Sequence, residues 1–270
     1  MTATAPLGRR VAAEFVGTGA LVAIVVGSGI QATRLSQDVG VQLLANSVAT
    51  VFGLGVLIAL LGPVSGAHFN PVVTLATWAT TGRRSLNGGG RGATDGGGRG
   101  GESGEGPHAR EVAAYVSAQT AGGIGGAVLA DAMFAEPLVQ WSGHDRSDPH
   151  LWLGEVVATA GLILLVLGLP RARRAHLAPV VVASYIGSAY WFTSSTSFAN
   201  PAVTVGRAFT DTFAGISPGS VPMFVVAQLG GLVAGLALYG LLFGRPSDRH
   251  TADPGPVPEP PRPREGSTRP

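Results

Sequence analysis

Two asparagines, Asn70 and Asn200, each stand directly before a proline in an otherwise apolar chain, in "HFNPVVTLAT" (68–77) and "FANPAVTVGR" (198–207). The chemistry such a pair can do is hydrogen bonding. An Asn side chain caps a helix by accepting backbone N–H bonds. Proline at the first helical position loses nothing, because its missing N–H would be unpaired there. The spacing predicts two short helices, Pro71 to about Thr80 and Pro201 to about Thr210, each ~15 Å long at the α-helical rise. Reactive chemistry is scarce by contrast. There is no cysteine, which excludes disulfides and thiolate metal sites. The six histidines are scattered, and neither a nucleophile–base set nor a cluster of metal ligands is visible. The acidic residues within apolar runs are Glu14, Asp131 and Glu155, all near run ends, whereas an ion-coupled transporter or a membrane enzyme needs charge at mid-run. No cofactor is implied.

The elements that must position these asparagines are apolar. Of 270 residues, 46% are hydrophobic and 13% charged, against about 25% charged in a soluble domain. Six runs read as membrane-spanning helices: Val11–Ile30, Val41–Leu61, Val112–Phe134, Leu151–Leu169, Leu177–Phe192 and Val221–Phe243. A bilayer needs roughly 20 residues, and Leu177–Phe192 is short, so extension at its ends is expected. Arg9 and Arg10 before the first run imitate a signal peptide. Glu14 inside it and the similar segment around Glu155 argue for a permanent helix. All eighteen basic residues are arginine, and with six spans fifteen of them fall on the side of the termini. The positive-inside rule then places both termini in the cytoplasm. A net charge of +2 gives no footing for nucleic acid.

The sequence repeats itself weakly. "AEFVGTGALV" (13–22) matches "GEVVATAGLI" (154–163), "SGAHFNPVVT" (65–74) matches "STSFANPAVT" (195–204), and "AQTAGGIGGA" (118–127) matches "AQLGGLVAGL" (227–236). Each half, 1–134 and 150–244, carries three spans and one Asn-Pro segment. An odd number of spans inverts the second half relative to the first. Residues 88–106, with 11 glycines in 19, are expected to form a flexible linker. Residues 245–270, with eight prolines, are expected to form a disordered tail. Inversion brings the two half-helix N-termini together at mid-bilayer. Irregular backbone at that depth must be buried in protein or line a cavity. Ser65-Gly66-Ala67 and Ser195-Thr196-Ser197 would therefore offer a lumen their carbonyls, with the two Asn amides as donors beneath positive helix ends. A row of acceptors with a positive centre passes neutral hydroxylated molecules and repels cations and protons.

These motifs resemble the major intrinsic protein family, the aquaporins and aquaglyceroporins, over nearly all of Arg9–Phe243. The first family signature corresponds to Asn70, Pro71 and Val72, with Val72 where alanine is usual, and the second to Asn200, Pro201 and Ala202. The resemblance implies an all-α membrane protein with six transmembrane helices and two re-entrant half-helices in an inverted repeat. It also implies a bacterial plasma-membrane location, homotetramers with one pore per subunit, and small neutral solutes as partners. Glu14 and Glu155 are implied to brace the loop backbones, with Gln119 and Gln228 as further buried polar residues. The family's outer constriction maps by counting onto Thr50, Ser188, Ser197 and Val203, with Phe52 as a rival for Thr50. Val203 stands where the family usually has arginine, so the set is wider and less charged than a strict water filter. "NPAVTVGRAFTDTFAGI" is similar to a bacterial branch associated with arsenic resistance, which implies conduction of undissociated arsenite, a neutral trihydroxy molecule like glycerol in its hydrogen-bonding demands.

Arg207 lies four residues past Val203, about 40° round the helix and ~6 Å along it. Two readings stay open. It repels cations from the outer mouth, or it braces the structure by pairing with Asp211 or loop carbonyls. His68 likewise braces the first motif or gates it with pH. The alternative to a channel is a membrane scaffold with a vestigial pore. The lack of cysteine gives the first prediction: mercurial reagents leave solute flux in proteoliposomes unchanged, and rapid inhibition would contradict it.

Overall fold

The computed structural model describes residues 5–87 and 109–244. The expected linker 88–106 and tail 245–270 lie outside these. The described residues form helices and no strand: α1 (Leu7–Leu35), α2 (Val39–Ser65), α3 (Pro71–Asn87), α4 (Ala109–Phe134), α5 (Pro149–Arg171), α6 (Ala178–Phe192), α7 (Pro201–Arg207) and α8 (Val221–Phe243). Five of them, α1, α2, α4, α5 and α8, are long and apolar enough to cross a membrane. Helix α6 has 15 residues and is preceded by a 3₁₀ turn, Ala175–Leu177, which supplies the extension expected at its start. The order long, long, Asn-Pro helix, long therefore occurs with α1–α4 and again with α5–α8, α6 taking the place of the second long helix.

Local chemistry sets the boundaries. Asp38 caps α2 by accepting from the Val41 N–H at 3.0 Å, and Gly66 ends it in the left-handed conformation at φ 90°. Pro149 occupies the first turn of α5, where its missing N–H is harmless. Helix α1 begins at Leu7, four residues before the apolar run, because Arg10 finds polar partners there: Tyr115 Oη at 2.9 Å and Glu111 at 3.2 Å.

Both Asn-Pro helices depart from their expected lengths. Helix α3 continues past Thr80 to Asn87, whereas α7 stops at Arg207, three residues before Thr210. The helix closes in a tighter turn, Ala208 N–H to Val205 O and Phe209 N–H to Gly206 O, and the next three carbonyls, which a further turn would use, are already occupied. Arg207 O accepts from the Ile216 N–H, Ala208 O from Ser142 and Phe209 O from Gln140. Tertiary hydrogen bonds end that helix where its sequence would let it run.

Small residues let the long helices approach closely, as is usual where apolar burial cannot drive helix association. Helix α1 packs on α4 as α5 packs on α8. A Cβ at Gly122 would strike the Phe15 carbonyl, and one at Gly126 the Gly19 carbonyl; at Gly235 it would lie 2.8 Å from the Ala160 carbonyl. Helix α7 is pressed onto α4 in the same way, since a Cβ at Gly123 would lie 2.7 Å from the Ala202 carbonyl. Gly126→Ala is therefore expected to destabilise the protein by about 1–3 kcal/mol through overpacking. Gly125→Ala, whose new methyl has open space, serves as the control. Thermal unfolding of the purified protein in detergent measures both, and equal unfolding temperatures would contradict the close approach.

Candidate functional site

The chain before each asparagine is held in a conformation it would not choose. Gly66, Ala67 and Phe69 have φ of 90°, 49° and 49°; the equivalent Thr196, Ser197 and Ala199 have 60°, 52° and 48°. A non-glycine residue with positive φ costs of order 1–3 kcal/mol unless its surroundings impose it. Two buried carboxylates impose it. Glu14, on α1, accepts from Ser65 Oγ (2.7 Å), the N–H groups of His68 (2.9 Å) and Phe69 (2.6 Å), and Gln119 Nε2 (2.8 Å). Glu155, on α5, accepts from Ser195 Oγ (2.6 Å), the N–H groups of Phe198 and Ala199 (both 2.8 Å), and Gln228 Nε2 (2.7 Å). Both glutamates have no solvent exposure, and four donors each offset the loss of water around the charge. Ser65 and Ser195 also accept from the N–H groups of Ala67 and Ser197. Gln119 and Gln228 reach on to Thr74 and Thr204 in the Asn-Pro helices.

With their N–H groups turned to the glutamates, these loops leave acceptors free. Among the described residues no donor reaches the carbonyls of Gly66, Ala67, His68, Ser197 or Phe198. Asn70 Oδ1 accepts from the Val72 N–H at 3.0 Å, and Asn200 Oδ1 from the N–H groups of Ala202 and Val203 at 3.0 and 3.3 Å. Each amide nitrogen then crosses to the other loop. Asn70 Nδ2 donates to Ala199 O at 2.8 Å, and Asn200 Nδ2 donates to Phe69 O at 2.7 Å. The N-termini of α3 and α7 are thereby stitched to each other. A primary amide has two hydrogens, so each asparagine retains one donor after the cross-link.

A cavity of about 950 Å³ runs past this junction. At one end its wall includes Thr50, Tyr190, Ser197, Val203 and Arg207; Asn70, Asn200 and the loop residues Gly66–Phe69 follow; at the other end stand Thr80, Arg171, Arg173 and His176. Pro71, Val72, Pro201 and Ala202 are buried behind the wall. Ser188 needs correction. It is exposed, lies off the wall, and donates to the Tyr185 carbonyl at 2.8 Å. The face of α6 turned to the cavity carries Val182, Ile186 and Tyr190 at fourfold spacing. Ser188 stands two residues past Ile186, about 200° away round the helix. Phe52, the rival for Thr50, is 70% exposed. Tyr190 was missed because a count back from Asn200 crosses a loop of irregular backbone. The Val182–Ile186–Tyr190 stripe could have found it. His68 lines the wall and bonds Thr74 Oγ1 through Nδ1 at 3.1 Å.

Arg207 is buried, and its guanidinium lies 3.4 Å from the centroid of the Phe198 ring, within cation–π range. Its Nε donates to the Ala214 carbonyl. Asp211 instead accepts from the Gly143 N–H at 2.8 Å, so the pair at fourfold spacing does not form. Arg146 lies over the same ring at 5.1 Å and donates to the Gly215 carbonyl; burial holds its guanidinium below the ordinary arginine value. Among the described residues no three His, Asp or Glu side chains gather as a metal site would require.

The sequence profile described as "Major intrinsic protein" matches residues 1–86. Over 248 residues the chain is 46% identical to the aquaglyceroporin AqpS of Rhizobium meliloti, covering 91% of this chain and 96% of that protein. It is 26% identical over 266 residues to a probable aquaporin, AqpM, of Archaeoglobus fulgidus, covering 88% and 98% of the two chains. A solved structure of the aquaglyceroporin from Plasmodium falciparum shares the fold, with a TM-score of 0.54 at 20% identity, over 89% of this chain and 96% of that one.

The carboxylates generate a prediction. Glu155→Gln keeps the shape but puts an NH₂ group against backbone donors. Stranding buried donors in this way is expected to destabilise by about 2–4 kcal/mol and to abolish solute flux, with Glu14→Gln behaving alike. Thermal unfolding and proteoliposome swelling read the two effects; wild-type behaviour in either variant would show that other contacts hold the loops.

Proposed function

The chain belongs to the major intrinsic protein family, and on that premise we propose that it is a passive channel for small neutral solutes: water, glycerol-like polyols and undissociated arsenite. It is an integral, multi-pass membrane protein, and the family's aquaglyceroporins are channels, not enzymes. The observation that carries the reading is the reciprocal Asn70–Ala199 and Asn200–Phe69 bonding on the wall of a long cavity.

The proposed mechanism follows from what that wall offers. A passing hydroxyl or water accepts from the spare amide hydrogens of Asn70 and Asn200 and donates to the unpaired loop carbonyls. Its hydration is replaced bond for bond. An ion exchanges a full hydration shell for a few neutral groups, and a cation also meets the electropositive starts of α3 and α7. A water held as an acceptor by both asparagines cannot donate toward them, which interrupts a proton wire. Val203 leaves the end near Thr50 and Tyr190 wider than a cationic residue would, which favours solutes larger than water. Arg207, one turn further along α7, keeps positive charge on the wall. In this reading the Arg207 end faces outward, the Arg171 end and both termini face the cytoplasm, and the protein sits in a bacterial plasma membrane as a homotetramer. The two halves, 1–134 and 150–244, act as an inverted repeat about the asparagine pair. Arsenite enters on two supports: the resemblance of the second motif, and a neutral trihydroxy shape that makes the same demands as glycerol.

Stopped-flow swelling of proteoliposomes under water, glycerol, urea and arsenite gradients tests the proposal. Water and glycerol are expected to cross faster than in protein-free vesicles, with no proton leak. Rates equal to empty vesicles for all four solutes would favour the scaffold reading. Arg207→Ala is expected to admit cations while solute flux persists; unchanged cation exclusion would leave Arg207 a bracket for the 208–216 loop.

A further inference from the structure

The two halves match closely, which makes a departure on the outer flank of the first one informative. Separate from the main cavity, a groove of about 450 Å³ is lined by Ala23, Ile24, Gly27 and Ser28 of α1 and by Met133 and Phe134 of α4. The ring of Phe134 is seated on Gly27, where a Cβ would lie 3.2 Å from it. The second half repeats that seat, with a Cβ at Gly168 also 3.2 Å from the ring of Phe243. In the alignment of the halves, however, Leu164 and Leu169 stand where the first half has Ala23 and Ser28. Two small residues leave open in one half what two leucines would fill. The groove's hydroxyl is engaged, since Ser28 donates to the Ile24 carbonyl at 2.5 Å and accepts from Asn46 Nδ2 at 2.9 Å. Both helices are long and apolar enough to cross a membrane, and Met133 on the rim is 61% exposed. At that depth the filling is hydrocarbon.

A charged pair stands at one end of the groove. Arg34 lies over the same Phe134 ring, 5.2 Å from its centroid. Its Nη2 donates to the Phe134 carbonyl at 2.6 Å and to Glu136 Oε1 at 2.8 Å. A guanidinium has five N–H groups, so Nε and Nη1 keep three that no described residue takes. The second carboxylate oxygen of Glu136 is likewise without a partner among the described residues. Both side chains remain accessible, at 48% and 35%. Eleven residues, ~16 Å of helix, separate Ala23 from Arg34, about the depth of one leaflet's hydrocarbon.

We infer that this groove and ion pair form a binding site for an aminophospholipid of the leaflet at the Arg34 end. One acyl chain lies in the groove, and the phosphate accepts from Nε and Nη1 of Arg34, whose planar fork suits it. The headgroup ammonium donates to the free oxygen of Glu136. That carboxylate disfavours a headgroup whose only charge is negative, and a quaternary ammonium has no N–H to give it. Apolar side chains of a second copy would cover the groove but leave the three N–H groups of Arg34 without an acceptor.

Native mass spectrometry of the purified protein, incubated with equal amounts of phosphatidylethanolamine, phosphatidylglycerol and phosphatidylcholine, reads both retained lipid and subunit number. The wild type is expected to retain phosphatidylethanolamine roughly tenfold over the other two, the worth of one charge-assisted hydrogen bond. Arg34→Gln is expected to lose that lipid. Ala23→Leu, which installs the residue type of the second half, is expected to lose it by filling the groove. Glu136→Gln is expected to keep lipid but to let phosphatidylglycerol compete equally. Equal retention of the three lipids by the wild type overturns the inference, as does unchanged retention in Arg34→Gln. A changed subunit number in Ala23→Leu with its lipid unchanged also overturns it, making the groove a contact between copies. Arg34 and Glu136 are accessible, so their variants decide the matter if Ala23→Leu fails to fold. Lipid retention is read without solute flux, so its failure would leave the channel reading standing.

Discussion

Two buried glutamates hold this structure in its working shape. Glu14 and Glu155 take the N–H groups of His68, Phe69, Phe198 and Ala199, and so hold the loops in which Ala67, Phe69, Thr196, Ser197 and Ala199 are left-handed. A carboxylate suits the task because it is acceptor-only and accepts from several donors at once. Two backbone N–H groups, one serine hydroxyl and one glutamine amide converge on each. That convergence turns the N–H edge of each loop away from the cavity, and the carbonyl edge must face the other way. The polarity of the wall is therefore a consequence of where the negative charges sit, on α1 and α5, behind the loops.

The asparagines work on top of that frame. Each uses its oxygen to cap its own helix and one amide hydrogen to hold the other half's loop, which leaves one hydrogen without an assigned partner. Neither α3 nor α7 could be displaced without breaking bonds in both loops. The glycine contacts between α1 and α4, and between α5 and α8, allow the helices to come close enough for a glutamate on one to reach a glutamine on the other. Packing, bracing and capping form one connected arrangement, and it is built twice from equivalent residues.

The end of the cavity near Arg207 is less regular, and there the two halves differ. Where the first half has His68 bonded to Thr74, the second has Phe198 beneath two arginines. An aromatic face accommodates guanidinium groups without a carboxylate partner, which allows positive charge at this end of the wall. The 208–216 segment, tied down by Arg207, Ser142 and Gln140, holds that charge in place.

Much of this was legible in the residues themselves. The apolar runs mark the long helices because a bilayer demands some 20 uncharged residues per crossing. Asn-Pro marks the start of a capped helix because the cap is local chemistry. Glu14 and Glu155 stand out because a charge in an apolar run must have a partner. What remained illegible depends on contacts between distant segments. The end of α7 at Arg207 was decided by donors from residues 140, 142 and 216. Tyr190 lies on the cavity and Ser188 off it because the rotation of α6 is set by packing against α2, and spacing to a motif across a loop does not encode that rotation. Tyr190 Oη meets Thr50 Oγ1 at 3.2 Å on that wall, a contact between residues 140 apart in sequence. Local chemistry determined which elements exist; only their assembly decided which side chains share a wall.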